Sequence, residues 1–226
     1  MSLYYRVRNL VFLLAKFRLN DISRKIRFRI SSNTRSYGLE RDMRIAFPTP
    51  DARIPLSVRQ LQENDIPRIF DLDRKDLSAE DKAELHTRLE HLHANIPTCY
   101  VAVTADDTPA YLQWLMSNCE NHRIQAYFNG IFPLLAADEA LLENAFTLHD
   151  FRGKGVMPAA MARIAEQGKE IGVRRIITFV EENNIPSLKG CRKAGFSPYV
   201  LREETWFLFR RKLTFTKLSP DQQFPF

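Results

Sequence analysis

A run of four elements at the centre of the chain constrains its fold more than any other feature. Glu143 to Leu148 reads as a strand, and residues 149–155 as a loop that closes on Gly153 and Gly155. Met157 to Ile171 reads as an amphipathic helix, and Arg175 to Val180 as a second strand. Met157, Ala160, Met161, Ile164 and Ile171 share one helical face. Pro158 falls in the first turn, where its missing N–H is tolerated, and Gly172 lies just past the end. The run Ile176-Ile177-Thr178-Phe179-Val180 is almost continuously β-branched or aromatic, which suits a strand covered on both faces. The element order is therefore mixed α and β.

The rest of the chain adds elements of both kinds. With 226 residues and 45% hydrophobic content, it can bury one sizeable core and carry an appendage. Strands are predicted over Leu56–Leu61, Thr98–Thr104, Pro109–Met116, Phe196–Leu201 and Thr205–Phe215. Asp65 and Pro67 mark a helix start, and Ser78, with Asp81 three residues on, opens a helix that runs to His93. A further helix is predicted over Pro186–Ala194, and residues 117–142 read as irregular and aromatic. Residues 1–50 stand apart as a basic extension, 51–218 as the main domain and 219–226 as a tail. Cys99, Cys119 and Cys191 show no C-x-x-C spacing and read as reduced thiols of a cytoplasmic protein.

The loop is where the chemistry concentrates. Two glycines between a strand end and a helix start let backbone amides approach an anion, and the helix N-terminus adds its positive dipole end. Arg152 and Lys154 bring further positive charge. These features alone define an anion site or a tight turn with two solvated cations. A dinucleotide fingerprint needs a third glycine where Pro158 stands, and a P-loop needs Ser or Thr where Gly155 stands.

Phe151-Arg152-Gly153-Lys154-Gly155-Val156 resembles the coenzyme A signature of the GNAT N-acyltransferase superfamily, Arg/Gln-x-x-Gly-x-Gly/Ala. Asn184 to Phe196, an Asn opening a helix that ends in Gly-Phe, resembles that family's second motif. Ser57 to Pro67 resembles its first strand and helix, and Cys99 to Met116 its following hairpin. The resemblance implies an α+β fold, with a central mixed, mostly antiparallel sheet flanked by helices and, here, a basic N-terminal helix/strand extension. It implies acetyl-CoA or another acyl-CoA as co-substrate, with no metal. The backbone of Ala145, Phe146 and Thr147 is expected to pair with pantetheine. The amides of Gly153, Lys154, Gly155, Val156 and Met157 are expected to hold the pyrophosphate, and Asn184 and Ser187 to line the pantetheine end. Two positions depart from the family pattern. Met157 replaces the last Gly/Ala of the loop, and Cys191 stands where a proton-donating Tyr is frequent.

The implied reaction is attack by a neutral primary amine on the thioester, and it needs a base. Glu143 is the candidate base, since strand alternation puts Glu143, Ala145 and Thr147 on one face. Cys191 is the candidate acid or an inert buried thiol, and Tyr199 is held in reserve. Trp114, Tyr127, Phe128 and Phe132 are candidates for an acceptor pocket or for the core. His86, His91 and His93 read as a solvated helix face rather than a metal site. A non-catalytic acyl-CoA-binding module and a tethered scaffold are the competing functions.

Of the chain's net charge of +6, residues 1–50 carry +8 and the remainder −2. Residues 3–17 repeat Leu3, Val7, Leu10, Val11, Leu14 and Phe17 at helical spacing, and residues 25–30 alternate apolar with basic, as an extended arm does. The segment reads as a packed extension, as an interfacial element at the inner face of an anionic membrane, or as a polyanion contact through residues 1–30. A homodimer contact is a further reading of it. No run of about twenty apolar residues marks a membrane span. The expected acceptor is a small-molecule or peptide amine.

Overall fold

The computed structural model describes residues 23, 26–94, 96, 98–219, 224 and 226. The helix predicted over residues 3–17 lies outside them. Eight strands are present: β1 (Ser31–Asp42), β2 (Ser57–Gln60), β3 (Cys99–Val103), β4 (Pro109–Ser117), β5 (Glu139–Thr147), β6 (Arg175–Glu181), β7 (Ser197–Phe207) and β8 (Arg210–Lys217). They form one sheet in the order β2-β3-β4-β5-β6-β1-β7-β8. Every neighbouring pair is antiparallel except β5–β6, which the intervening helix makes parallel. The helices are α1 (Ile66–Ile69), α2 (Ala79–His93), α3 (Asn121–Tyr127), α4 (Val156–Glu170) and α5 (Ile185–Lys193). Among the described residues, no helix is long and apolar enough to cross a membrane.

Two apolar layers sandwich the sheet. On one face Ala160, Met161 and Ile164 of α4 and Leu188 and Cys191 of α5 pack on Leu39, Leu115, Leu142 and Ile176. On the other, Leu85 of α2 and Ile124 of α3 pack on Val101, Trp114, Leu141, Phe146 and Ile177. Ser78 caps α2 by accepting from the Asp81 N–H at 3.0 Å, as its sequence position predicts.

The largest departure from the sequence reading is β1. Residues 26–30 are helical rather than extended, and the polar stretch from Ser31 begins a twelve-residue strand inserted between β6 and β7. The segment set apart as an extension thus supplies a central strand. Two of its polar residues, Ser36 and Arg41, are buried with partners. Ser36 accepts from Arg202 at 3.0 Å, and the Arg41 guanidinium pairs with Glu166 and donates to the Ala194 carbonyl at 3.2 Å. Gly38 is required by space, because a Cβ there would overlap Val200 Cγ1 and sit 2.8 Å from Phe179 Cε1.

A second difference lies at the β7–β8 hairpin. The polar run Arg202-Glu203-Glu204 reads as a break between strands, yet β7 continues to Phe207. The turn falls on Leu208-Phe209, residues without turn chemistry. The stretch 117–142, read as irregular, holds α3 and the start of β5.

Candidate active site

The site begins where β5 and β6 part. Their parallel pairing covers only Glu139–Leu141 against Arg175–Ile177, and beyond it the strands splay. A bulge in β5 accompanies the splay. Glu143 pairs with Trp114 and Phe146 with Leu112, so two residues of β5 oppose Gln113 alone. Asn144, inside the bulge, has φ 58°, a left-handed conformation that Asn tolerates better than most residues. The bulge corrects the expected alternation: Glu143 lies opposite Trp114 on one face, whereas Thr147 lies opposite Tyr111 on the other.

Helix α2 holds the bulge in place. Arg88 Nε donates to the Asn144 carbonyl at 3.2 Å and its Nη2 to the Ala145 carbonyl at 2.8 Å. Asn144 Nδ2 lies 3.0 Å from His91 Nδ1. His91 is fully buried and stacks edge-on against Trp114 and Tyr127, with Phe128 tilted beside it, so it is not part of the expected solvated face. Burial, with Arg88 nearby, pushes its pKa down to about 4 and keeps the ring neutral. As acceptor from Asn144, Nδ1 leaves the proton on Nε2. Trp114 and Phe132 are core residues, and Tyr127 and Phe128 serve the His91 cluster. The role of Arg88 and His91 escapes sequence reading, because nothing local marks which α2 residues will meet a bulge in a strand about fifty residues later.

The splay opens two continuous spaces. A cleft of about 690 Å³ runs past Ala145, Phe146, Thr147, Gly153, Gly155, Val156, Asn184 and Ser187. A cavity of about 440 Å³ continues inward to Glu143, Thr178, Met161 and Cys191. Ala145, Met157, Asn184 and Ser187 line both. The residues that sequence assigned to coenzyme binding, except Lys154, line these spaces together with Glu143 and Cys191, whereas Tyr199 lies outside them.

In the glycine loop, Gly153 and Gly155 both have φ 74°. Nothing lies within 4 Å of a Cβ built on Gly153, so the space beside it is open. A Cβ on Gly155 would meet the Asp51 carbonyl at 3.3 Å. Residues 51–53 lie against the loop, and Arg53 N–H donates to the Lys154 carbonyl at 2.8 Å. The two loop cations are engaged. Arg152 pairs with Asp81 and donates from Nε to the Thr147 carbonyl at 3.2 Å, while Lys154 Nζ sits 5.4 Å from the Phe151 ring centre. Burial raises the Asp81 pKa, but hydrogen bonds from Arg152 and Ser78 outweigh it and hold the carboxyl below its ordinary value. Lys189 and Lys193 of α5 also line the cleft, two cations outside the loop motif.

Met157 does not close the loop. Gly190 makes room for it, since a Cβ there would lie 2.7 Å from Met157 Sδ. Asn184 caps α5 by accepting from the Ser187 N–H at 3.2 Å. An open left-handed glycine loop, a free helix N-terminus and lysines at the rim fit a phosphorylated acyl carrier.

At the inner end, Glu143 is half-buried and bridges the strand gap, accepting from the Phe179 N–H at 2.8 Å. Burial pushes its pKa up to about 7, against the opposing pull of that hydrogen bond and of Arg202. Cys191 is buried, with Sγ 3.8 Å from Met161 Sδ, and burial pushes its thiol pKa well up. Tyr111, absent from the sequence-based candidates, is fully buried and donates from its hydroxyl to Gln113 Oε1 at 2.5 Å. Tyr199 lies under the Arg175 guanidinium, 4.4 Å from its ring centre.

The acetyltransferase (GNAT) domain profile matches residues 56–197, more than half of the chain. The chain belongs to the GNAT acetyltransferase family. No curated protein matches it in sequence. Among solved structures, the glucosamine N-acetyltransferase region of a fungal multi-domain β-N-acetylglucosaminidase is 14% identical, with a TM-score of 0.57 over 82% of this chain and 21% of that one. A related N-acetyltransferase from Sphaerobacter thermophilus is 13% identical, with a TM-score of 0.49 over 90% of this chain and 58% of that one. A GNAT-family acetyltransferase from Colwellia psychrerythraea is 10% identical, with a TM-score of 0.47 over 84% and 59%. The chain spans about a fifth of the first of these proteins and under two thirds of the other two.

Proposed function

We propose that this protein is an acyl-CoA-dependent N-acyltransferase that transfers acetyl from acetyl-CoA to a primary amine by direct attack on the thioester. The observation that carries this reading is the continuity of the glycine-loop cleft with the cavity holding Glu143. Bound acyl-CoA supplies an activated acyl thioester. The amides of residues 153–157 bind its phosphates, and the splayed edge of β5 at Ala145, Phe146 and Thr147 orients its extended arm. Asn184 and Ser187 bound the path between the two spaces.

Glu143 takes the proton from the incoming ammonium at its carboxylate. A pKa near 7 is suited to that task, because the group is substantially ionised at neutral pH and is still basic enough to accept. Cys191 is the proposed hydrogen-bond donor to the departing sulfur. Its raised pKa keeps the proton on Sγ, so it does not compete as a nucleophile. The acceptor is a small-molecule or peptide amine. On this reading the protein works in the cytoplasm, and its basic residues 1–30 provide a peripheral membrane or polyanion contact. A homodimer is compatible with the same surface.

A binding module without turnover is the competing reading, favoured by Met157 and Cys191 at positions where the family carries other residues. Calorimetry with acetyl-CoA and thiol release against an amine panel decide between them. The transferase reading expects saturable binding and amine-dependent thiol release. Binding with no release from any amine would favour the module, and no binding of any acyl-CoA would remove both.

A further inference from the structure

The β7–β8 hairpin ends in a two-residue loop, Leu208-Phe209, closed by the Phe207–Arg210 pair. Both loop residues are left-handed, with φ 45° and 63°. A loop of this shape favours Asn-Gly, whose side chains tolerate it. Two bulky apolar residues are strained there, and neither gains burial in return: Phe207, Leu208 and Phe209 are 65%, 60% and 57% exposed. The tip is not isolated. Leu208 N–H donates to the Ile30 carbonyl at 2.9 Å and Phe209 N–H to the Arg29 carbonyl at 2.8 Å. This joins the tip to the helical residues 26–30, where Ile26, Phe28 and Ile30 are each more than 40% exposed. Arg27, Arg29, Arg210, Arg211 and Lys212 flank the patch. Glu204 on β7 accepts from Arg211 at 2.7 Å and from the Trp206 indole at 3.0 Å. Arg27, Arg210 and Lys212 have no ion-pair partner among the described residues.

We propose that this hairpin tip, together with residues 26–30, docks the protein on an anionic lipid surface. The apolar side chains enter the headgroup boundary and the flanking cations pair with lipid phosphates. Charge favours lipid over a second copy of the chain, because a two-fold contact through this patch would set Arg27, Arg210 and Lys212 against their own copies. The protruding tip also carries no side-chain hydrogen-bonding groups with which to read a specific protein partner. Trp206 and Tyr127, in the hollow of about 720 Å³ behind the tip, have the amphipathic rings that settle at headgroup depth. The inference gives a surface to the peripheral contact proposed above and does not depend on acyl transfer.

The test is vesicle flotation of the full chain and of L208N/F209G. That double variant installs the pair the loop geometry favours, so its melting temperature should stay level or rise while the apolar tip is lost. Wild type should float with phosphatidylcholine vesicles containing about a third phosphatidylserine, weakly with phosphatidylcholine alone, and less as salt rises. The variant's partition to anionic vesicles should fall by about tenfold or more. Equal flotation of the two proteins, or no flotation of wild type, would overturn the proposal. So would a concentration-dependent dimer that the variant abolishes, which would assign the tip to a second copy. Acetyl-CoA titration of both proteins in parallel reports on the transferase reading separately.

Discussion

Glu143 shows how a single side chain acquires a role from its surroundings. Its carboxyl spans a strand gap that leaves the Phe179 N–H without a backbone partner, and burial there lifts its pKa to about 7. Glu143→Gln should keep the hydrogen bond from Phe179 and remove the proposed base. We expect kcat to fall by about 10²- to 10⁴-fold with little change in acetyl-CoA affinity. In the wild type, kcat/KM should rise with pH up to about 7 and then level, a limb the variant lacks. The stability sign follows from the same shift. A carboxyl whose folded pKa lies above its unfolded value favours the folded state below pH 4.5, and that contribution is lost as pH rises through about 7. Chemical denaturation of Glu143→Gln should therefore show less loss of stability between those pH values. Gly155 gives a second residue-scale prediction. Gly155→Glu should abolish acetyl-CoA binding by calorimetry. With φ 74° and the Asp51 carbonyl behind it, the change should also cost about 1–2 kcal/mol of stability.

Among the elements, β1 and the β5 bulge differ most from what local sequence suggests. Gly38 lets β1 pass between Val200 and Phe179, so Gly38→Val should destabilise the protein by about 1–3 kcal/mol, read as a lower denaturation midpoint. Coenzyme affinity per folded molecule should hold, because Gly38 lies outside the cleft. Helices α1, α2, α4 and α5, β6 and the β3–β4 hairpin could be read locally, since Ser78, the Met157–Ile171 face and the run from Ile176 to Val180 carry period and caps in their own residues. β1 could not, because Ser36 and Arg41 look solvated until Arg202 and Glu166 arrive from more than a hundred residues away. The β7–β8 turn was misplaced for the opposite reason, because a strained Leu-Phe pair carries no turn signal. The alternation argument for Glu143 rested on a premise that the bulge removes.

At the scale of the whole molecule, the sheet depends on a strand from the segment that sequence sets apart. β1 bonds β6 on one edge and β7 on the other, so β7 and β8 join the sheet only through it. A fragment of residues 51–226 contains the glycine loop and the whole matched domain, yet it should not fold cooperatively. Its circular dichroism should show no sharp thermal transition, whereas the full chain melts in one. A cooperative melt of the fragment at the full-chain temperature would contradict this. The same dependence connects the basic N-terminal region to the catalytic half, since residues 26–30 run directly into β1.

The sequence by itself determined the local units: the glycine loop between strand and helix, the Asn184-capped helix, and with them the family. These rest on caps, glycine freedom and apolar periodicity, which act within a few residues of one another. The tertiary structure alone decided that β1 completes the sheet, that Arg88 and His91 hold the bulge, and that Gly190 accommodates Met157. It also decided that Arg152 braces the loop against Asp81. These rest on side chains that meet across long separations in sequence, where burial and hydrogen-bond satisfaction depend on which partner arrives.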